Sequence, residues 1–428
     1  MPCTVLRSLR PTLRLVALPI LSLSMLSACD AVTPGAPAEE SVLEGPIAGL
    51  SEAQFRRHIA GDEGFARRFT VTDGLGPLFV ASGCEQCHAG DGKGAPVFTL
   101  TRFGRLEASG FDPMLKDGGP QLQNRSIPGF LPEEIPAGAT GVARFNPPAV
   151  TGLGLLEAVD DITLLALADP DDADNDGISG RVQLIERTEL VETVVDLETA
   201  GLPSGAGRGT LVDGRRIGRF GKKAGAVNLL HQTVLAYRED MGITSDLLLE
   251  DLFHPGVGAR VGDAVADPEV STADVADVVF YIRTLRAPPR RDADAPEVVA
   301  GEALFREIGC AGCHTPSLTT GVSEVAPLDR VTFEPWTDLL LHDMGPELDD
   351  GYTEGRATTS EWRTAPLWGL GLAASLQGGE PFFLHDGRAS TLEEAIESHG
   401  GEASASRQRF RDLDPADRAR LIRFLESL

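Results

Sequence analysis

The sequence predicts a mainly α fold built from two halves of an internal duplication. Three observations predict it: capped amphipathic segments recur along the chain, strand signals are sparse, and one eleven-residue frame occurs twice. The first copy is Leu78-Phe79-Val80-Ala81-Ser82-Gly83-Cys84-Glu85-Gln86-Cys87-His88. The second is Leu304-Phe305-Arg306-Glu307-Ile308-Gly309-Cys310-Ala311-Gly312-Cys313-His314. Leu, Phe, Gly, both Cys and His fall at the same offsets in each.

Both frames end in C-x-x-C-H, the attachment signature of a c-type haem. On a helical turn, positions i, i+3 and i+4 share a face. Cys84 with Cys87, and Cys310 with Cys313, can then add across the vinyl groups of a haem, while His88 and His314 point at the iron. The four cysteines could instead form an all-thiolate zinc site or redox disulfides. Both alternatives leave the trailing histidines unexplained. The expected cofactors are therefore two covalently bound haem c, and the expected fold is two cytochrome c-like haem domains with long loops.

At 428 residues, 42% of them hydrophobic, the chain is long enough for two or three domains with cores. Lys+Arg 38 against Asp+Glu 64 leave a net charge of −26. Such a surface repels nucleic acid phosphates and anionic headgroups, and would steer basic protein partners or cationic mediators. Solubility alone would also account for it.

In chain order, residues 1–29 read as a targeting segment. Arg7, Arg10 and Arg14 precede an apolar run over 15–26 that is too short to span a bilayer as a permanent helix. Leu26-Ser27-Ala28-Cys29 resembles a bacterial lipoprotein cleavage box, which makes Cys29 the lipidated first residue; the alternative is an ordinary signal peptide cut near Ala28. Either delivers the chain outside the cytoplasm, to the periplasm, with the membrane reached only through the lipid. With Cys3 in the removed segment, all six cysteines are assigned. Residues 30–50 read as a flexible tether.

A first haem domain is expected over 51–290. Ser51 caps a short helix with Gln54 three on. Residues 90–145, rich in Gly and Pro, read as long loops, and 146–157 as helix. Asp172-x-Asp174-x-Asp176-Gly177 matches the first half of a calcium loop, but its twelfth position is Gln183 rather than Glu. One calcium ion held by Asp172, Asp174 and Asp176 and a merely solvated acidic turn account for it equally well. Residues 196–222 read as Gly- and Arg-rich loop, 224–237 as helix, and 271–285 as a helix capped by Ser271 with Asp274 three on. Pro288-Pro289 ends the domain. A second haem domain is expected over 291–428, opened by a helix from Pro296 and closed by one from Asp414-Pro415.

Four further stretches carry a resemblance: Asp338-Leu339-Leu340-Leu341-His342-Asp343-Met344-Gly345, Leu384-His385-Asp386-Gly387-Arg388, 392–401 and Asp240-Met241-Gly242-Ile243-Thr244-Ser245. With the second haem frame and 147–157, they resemble the bacterial di-haem oxidoreductase family, whose members carry the labels of peroxidase and of thiol oxidoreductase. More distantly, the chain is similar to di-haem cytochrome c peroxidases. The resemblance spans nearly all of 51–428. It implies that the C-terminal haem passes electrons, taken from a small cytochrome, a cupredoxin or a membrane electron chain, and that the N-terminal haem meets hydrogen peroxide. It places a sixth iron ligand at His399, with Met344 as the alternative. It makes Asp240 the acid/base that helps split the O–O bond, with Glu239 as the nearby substitute, and Gln232 the residue that orients peroxide.

Two departures stand out. Phe220 occupies the place of a tryptophan that the relatives put between their haems. Residues 89–146 hold no histidine, so nothing there but Met114 could close the second face of the first haem. His342 and His385 are expected to hold propionates or backbone, and Trp336, Trp362 and Trp368 to pack. A plain di-haem electron carrier is the alternative function, and spin state discriminates, because an enzyme needs one open iron. Thiol oxidation rests on the family label alone.

Overall fold

The computed structural model describes residue 43 and residues 45–108, 110–199 and 209–428. The expected signal segment with Cys29, and most of the tether, lie outside these residues. With 36% helix and 15% strand in several small sheets, the fold is mixed α and β, and the expected mainly α class is wrong.

The strands lie largely where loops were expected. β1 (Leu100–Glu107), β2 (Gly110–Asp112) and β3 (Gly141–Phe145) form an antiparallel sheet in the order β2-β1-β3, with Leu100 opposite Phe145 and Gly104 opposite Gly141. β3 alternates cleanly: Gly141, Ala143 and Phe145 are buried, Val142 and Arg144 exposed. β4 (Gln183–Ile185), β5 (Leu211–Val212) and β6 (Arg215–Gly218) make a second sheet in the order β4-β6-β5. Asp213 and Gly214 turn β5 into β6 with φ of 50° and 76°, the left-handed pair that a two-residue hairpin of type I′ requires. β7 (Leu341–Asp343) pairs with β8 (Glu361–Arg363), placing His342 opposite Trp362.

The long helices follow their caps. α1 (Glu52–Ala66) has the Ser51–Gln54 capping box, and α3 (Thr272–Thr284) the Ser271–Asp274 box. Between them α2 (Leu229–Met241) starts later than its apolar pattern suggests. Asn228 caps it, because Ala224 has φ 54° and Ala226 is bridged to Phe220. α4 (Pro296–Glu307) begins with proline, and α5 (Pro415–Ser427) is capped by the Asp414 carboxylate. The expected helix over 146–157 covers only Leu153–Glu157. Among the described residues no helix is long and apolar enough to cross a membrane.

α1 packs on α3, and α4 on α5. The largest apolar cluster joins Phe65, Leu156, Leu230, Val234, Val278 and Phe280 to Leu318, Leu328, Leu339, Leu340 and Trp368, so it runs past residue 290. A second gathers Val298, Phe305, Trp336, Phe410, Leu421 and Phe424. At the end of the expected tether, Ile47 donates its N–H to Thr284 O at 2.7 Å and Pro46 bridges Leu285. Two fully buried arginines are each neutralised: Arg283 by Glu157, Arg219 by Asp161. A buried guanidinium is tolerated only with such a partner.

Candidate haem sites and the adjoining cavity

Each C-x-x-C-H motif folds into the same turn. Cys84–Gln86 and Cys310–Gly312 are single 3-10 turns. His88 donates its backbone N–H to Cys84 O at 3.0 Å, and His314 to Cys310 O at 3.1 Å. The turns gather both thiols and the imidazole into one short segment, as the spacing requires. The glycine ahead of each turn is needed for different reasons. Gly309 has φ +91°, a left-handed conformation. Gly83 is extended, but a Cβ there would stand 2.5 Å from Arg67 O.

The histidines are prepared as ligands. His88 Nδ1 is 2.8 Å from Pro148 O, and His314 Nδ1 is 3.0 Å from Trp336 O. A carbonyl on Nδ1 fixes the tautomer and leaves Nε2 with its lone pair, the arrangement metal-bound imidazoles adopt. Burial pulls both rings down to about 4, so they are neutral at pH 7. No disulfide joins these four cysteines, and burial pushes the Cys84, Cys87 and Cys310 thiols up to about 12 and raises Cys313.

A shared four-thiolate zinc site is not assembled. Cys84 packs against the large cluster and Cys310 against the second. Among the described residues, the grouped metal-binding side chains are Asp172, Asp174 and Asp176. The residues fit a haem at each motif instead. Orphaned polar groups fit it too: among the described residues, the Asn146 amide, 0% exposed, and Trp336 Nε1 have no hydrogen-bond partner.

His399 is brought opposite His314. Their ring centroids are 6.5 Å apart, and His399 Nδ1 is held 2.7 Å from Ala395 O, which again leaves Nε2 for a metal. Two metal–nitrogen bonds of roughly 2 Å plus about 1 Å of ring on each side span about 6 Å, so one ion fits between the rings. Met344 packs instead with Ala143, Phe145, Leu348, Tyr352 and Trp362.

His342, expected to hold propionates or backbone, has both ring nitrogens on side chains among the described residues. Its Nε2 is 2.9 Å from Asp338 Oδ2 and its Nδ1 is 2.8 Å from Glu402 Oε2, with Cys313 Sγ at 3.5 Å. Burial opposes its charge, but the bonds to Asp338, Cys313 and Glu402 outweigh it and hold the imidazole up to about 12. His385 stacks on Trp362 with centroids 3.5 Å apart.

Asp240, Glu239 and Gln232 all project from α2 into one cavity of about 480 Å³. The cavity adjoins the first haem frame, because Asp240 O accepts the N–H groups of Val80 and Ala81 at 2.7 and 3.0 Å. Gln121 Nε2 donates to Asp240 Oδ1 at 2.7 Å. Burial lifts the Asp240 carboxyl to about 6, against the pull of that bond and of Arg102. Glu239 is occupied otherwise: Arg102 Nη1 is 3.1 Å from its Oε2, and its peptide oxygen accepts from Gln121 and Gln123. The Gln232 side-chain amide makes no hydrogen bond among the described residues. Pro113 rather than Met114 lines the wall.

Arg102, Gln121, Tyr352 and Glu354 belong to this site and have no signal in the local sequence. Arg102 comes from the sheet expected to be loop, Gln121 from a segment bridged to Arg102, and Tyr352 and Glu354 from far along the chain. Asp172, Asp174 and Asp176 sit in an outer loop, where each accepts a backbone N–H of its own turn. Gln183, the twelfth position of the would-be calcium loop, is buried and bonds Lys223 O and Glu354 O, so it offers nothing to an ion there.

A family model described as Di-haem oxidoreductase, putative peroxidase, matches residues 140–428. The first haem frame precedes that span. No curated protein matches. Among solved structures, hydrazine synthase of Kuenenia stuttgartiensis, pressurized with 20 bar xenon, is similar over 98% of this chain and 100% of that chain, at 13% identity and a TM-score of 0.37.

Proposed function

The chain belongs to the di-haem oxidoreductase family, and from that premise we propose that it is a periplasmic c-type di-haem enzyme that reduces peroxide. Cys84, Cys87 and His88 would hold one haem, and Cys310, Cys313, His314 and His399 would hold the other. The haems supply redox-active iron. The observation that carries the reading is the convergence of Gln232 and Asp240 on one cavity beside the first frame.

There the residues divide the work. The Gln232 amide, without a hydrogen-bond partner among the described residues, donates to a peroxide oxygen and orients it. The Asp240 carboxylate takes the proton from one oxygen and returns it to the other as the O–O bond opens. Gln121 holds that carboxylate in place. Arg102 neutralises Glu239, which keeps a second negative charge from raising Asp240 further. The electron donor would be a small cytochrome or cupredoxin, drawn to the net charge of −26.

The test is stopped-flow mixing of the reduced protein with hydrogen peroxide. Reoxidation is expected. No reaction, with both irons low-spin, would establish a plain electron carrier instead.

Lipidation at Cys29 places the enzyme on the periplasmic face of a membrane. Mass spectrometry of the mature N-terminus should find a diacylglyceryl cysteine at position 29. A free amino group at any other residue contradicts this.

A further inference from the structure

The buried and half-buried cations around the two motifs divide into two kinds. Arg219 and Arg283 face carboxylates, and Lys223 sits on the carbonyls of Thr358, Thr359 and Glu361. Lys93, Lys222 and Arg363 are different. Among the described residues, none of the three has a carboxylate within ion-pair distance. Lys93 Nζ donates to Leu384 O at 3.1 Å and stands 5.9 Å from the Phe383 ring, and Arg363 donates to Gly221 O and Thr364 O. The Lys222 ammonium has no hydrogen-bond partner among the described residues.

These three cations are close together. Arg363 N donates to Lys222 O at 3.0 Å, so the two residues are locked side by side. Lys93 and Arg363 both push on the Lys222 charge, which burial already disfavours, so its ammonium is depressed well below the usual range. Burial also lowers Lys93 to about 8 and Arg363 to about 10. Three half-buried like charges that no carboxylate pairs directly repel one another. The chain supplies Asp386 nearby, but that carboxylate is taken by Arg388 at 2.6 Å.

The seam also spans both haem motifs. Lys222 acts electrostatically on His88. Arg363 feels Asp338, which bonds His342 against Cys313. A second, independent sign of a missing anionic or polar partner lies on the same segment. Asn146 donates its N–H to His385 O at 2.7 Å, and its side-chain amide, 0% exposed, has neither donor nor acceptor satisfied among the described residues.

We propose that Lys93, Lys222 and Arg363, with the Asn146 amide, form a cradle between the two motifs that binds carboxylate groups carried in by the cofactors, the haem propionates. This rests on the di-haem reading. The cradle fixes the haems at their acidic edges while the thioethers fix them at the other. Its charge also sets a potential: a cation beside a haem disfavours the extra positive charge of ferric iron.

The test is spectroelectrochemical titration of the haem-loaded full chain at low salt, with wild type, Lys222→Gln and Lys222→Arg compared. Haem content is counted first by pyridine haemochrome, so a failed di-haem reading shows itself before any potential is measured. Lys222→Gln should lower the midpoint of at least one haem, and Lys222→Arg should restore it. Equal potentials in Lys222→Gln and wild type, at two haems per chain, overturn the cradle and leave the di-haem reading standing. Equal shifts in both variants overturn it too, because charge would then not matter. Acetate is the probe for a free anion: a wild-type potential that responds to acetate, with the response lost in Lys222→Gln, assigns the cations to small anions and overturns the propionate assignment. Should Lys222→Gln not accumulate with two haems, Lys93→Gln takes its place with the same expected fall, and an unchanged midpoint there overturns the proposal.

Discussion

Replacing Asp240 by Asn slows the reaction with peroxide by about 10²-fold or more, the usual contribution of a positioned acid/base, while both haems stay bound. The substitution keeps the shape and the hydrogen bond from Gln121, but removes the group that can take a proton. The pH profile carries the same information. Burial holds the Asp240 carboxyl at about 6. Below that value it is protonated and cannot accept a proton, so the wild-type rate should rise with pH through about 6 and level off above it. In Asp240→Asn that limb should vanish. Second-order rate constants from stopped flow, taken across pH, decide the matter. A variant with the wild-type rate and the same limb would remove Asp240 from the mechanism. If Glu239→Gln gave the loss instead, the acid/base would be Glu239, despite its pairing with Arg102 at 3.1 Å.

Changing His399 to Gly turns one low-spin iron high-spin and leaves the other unchanged. The expectation comes from the 6.5 Å between the His314 and His399 rings and from the carbonyls that occupy both Nδ1 atoms. Removal of one imidazole leaves no second nitrogen on that axis. Losing a low-spin haem to high spin is an all-or-none change in the electron paramagnetic resonance spectrum, so partial effects are not expected. If Met344→Ala produces that change and His399→Gly does not, the ligand is Met344, and its apolar surroundings must rearrange when haem is bound. With His on both faces the potential lies below that of a His/Met iron, because thioether ligation raises it.

Sequence reading served best where the physics is local. The boxes at Ser51 and Ser271 and the cap at Asp414 are short-range hydrogen-bond patterns, and each helix begins where its cap stands. The two haem frames were legible because thiol and imidazole spacing on one turn leaves little freedom. The sheets were not read, although some of their signals were present. Asp213-Gly214 is a strong hairpin turn, but it lies in a Gly- and Arg-rich stretch whose short strands offer little alternation. β1 and β3 pair across a long excursion, and their partnership cannot be read from either alone. The cavity was half legible. Gln232 and Asp240 sit on one helix and were found through a family resemblance. Arg102 and Glu354, which set the charge around them, arrive from separate parts of the chain. The cradle cations escaped for the same reason: Lys93, Lys222 and Arg363 are unremarked single residues until the fold leaves them together without carboxylates.

The central claim is two covalent haems per chain, and pyridine haemochrome quantification on purified protein tests it most directly. The expected value is two c-type haems for wild type and one for the double variant Cys84→Ala, Cys87→Ala. A wild-type value of zero or one, or two haems retained in the double variant, contradicts the account.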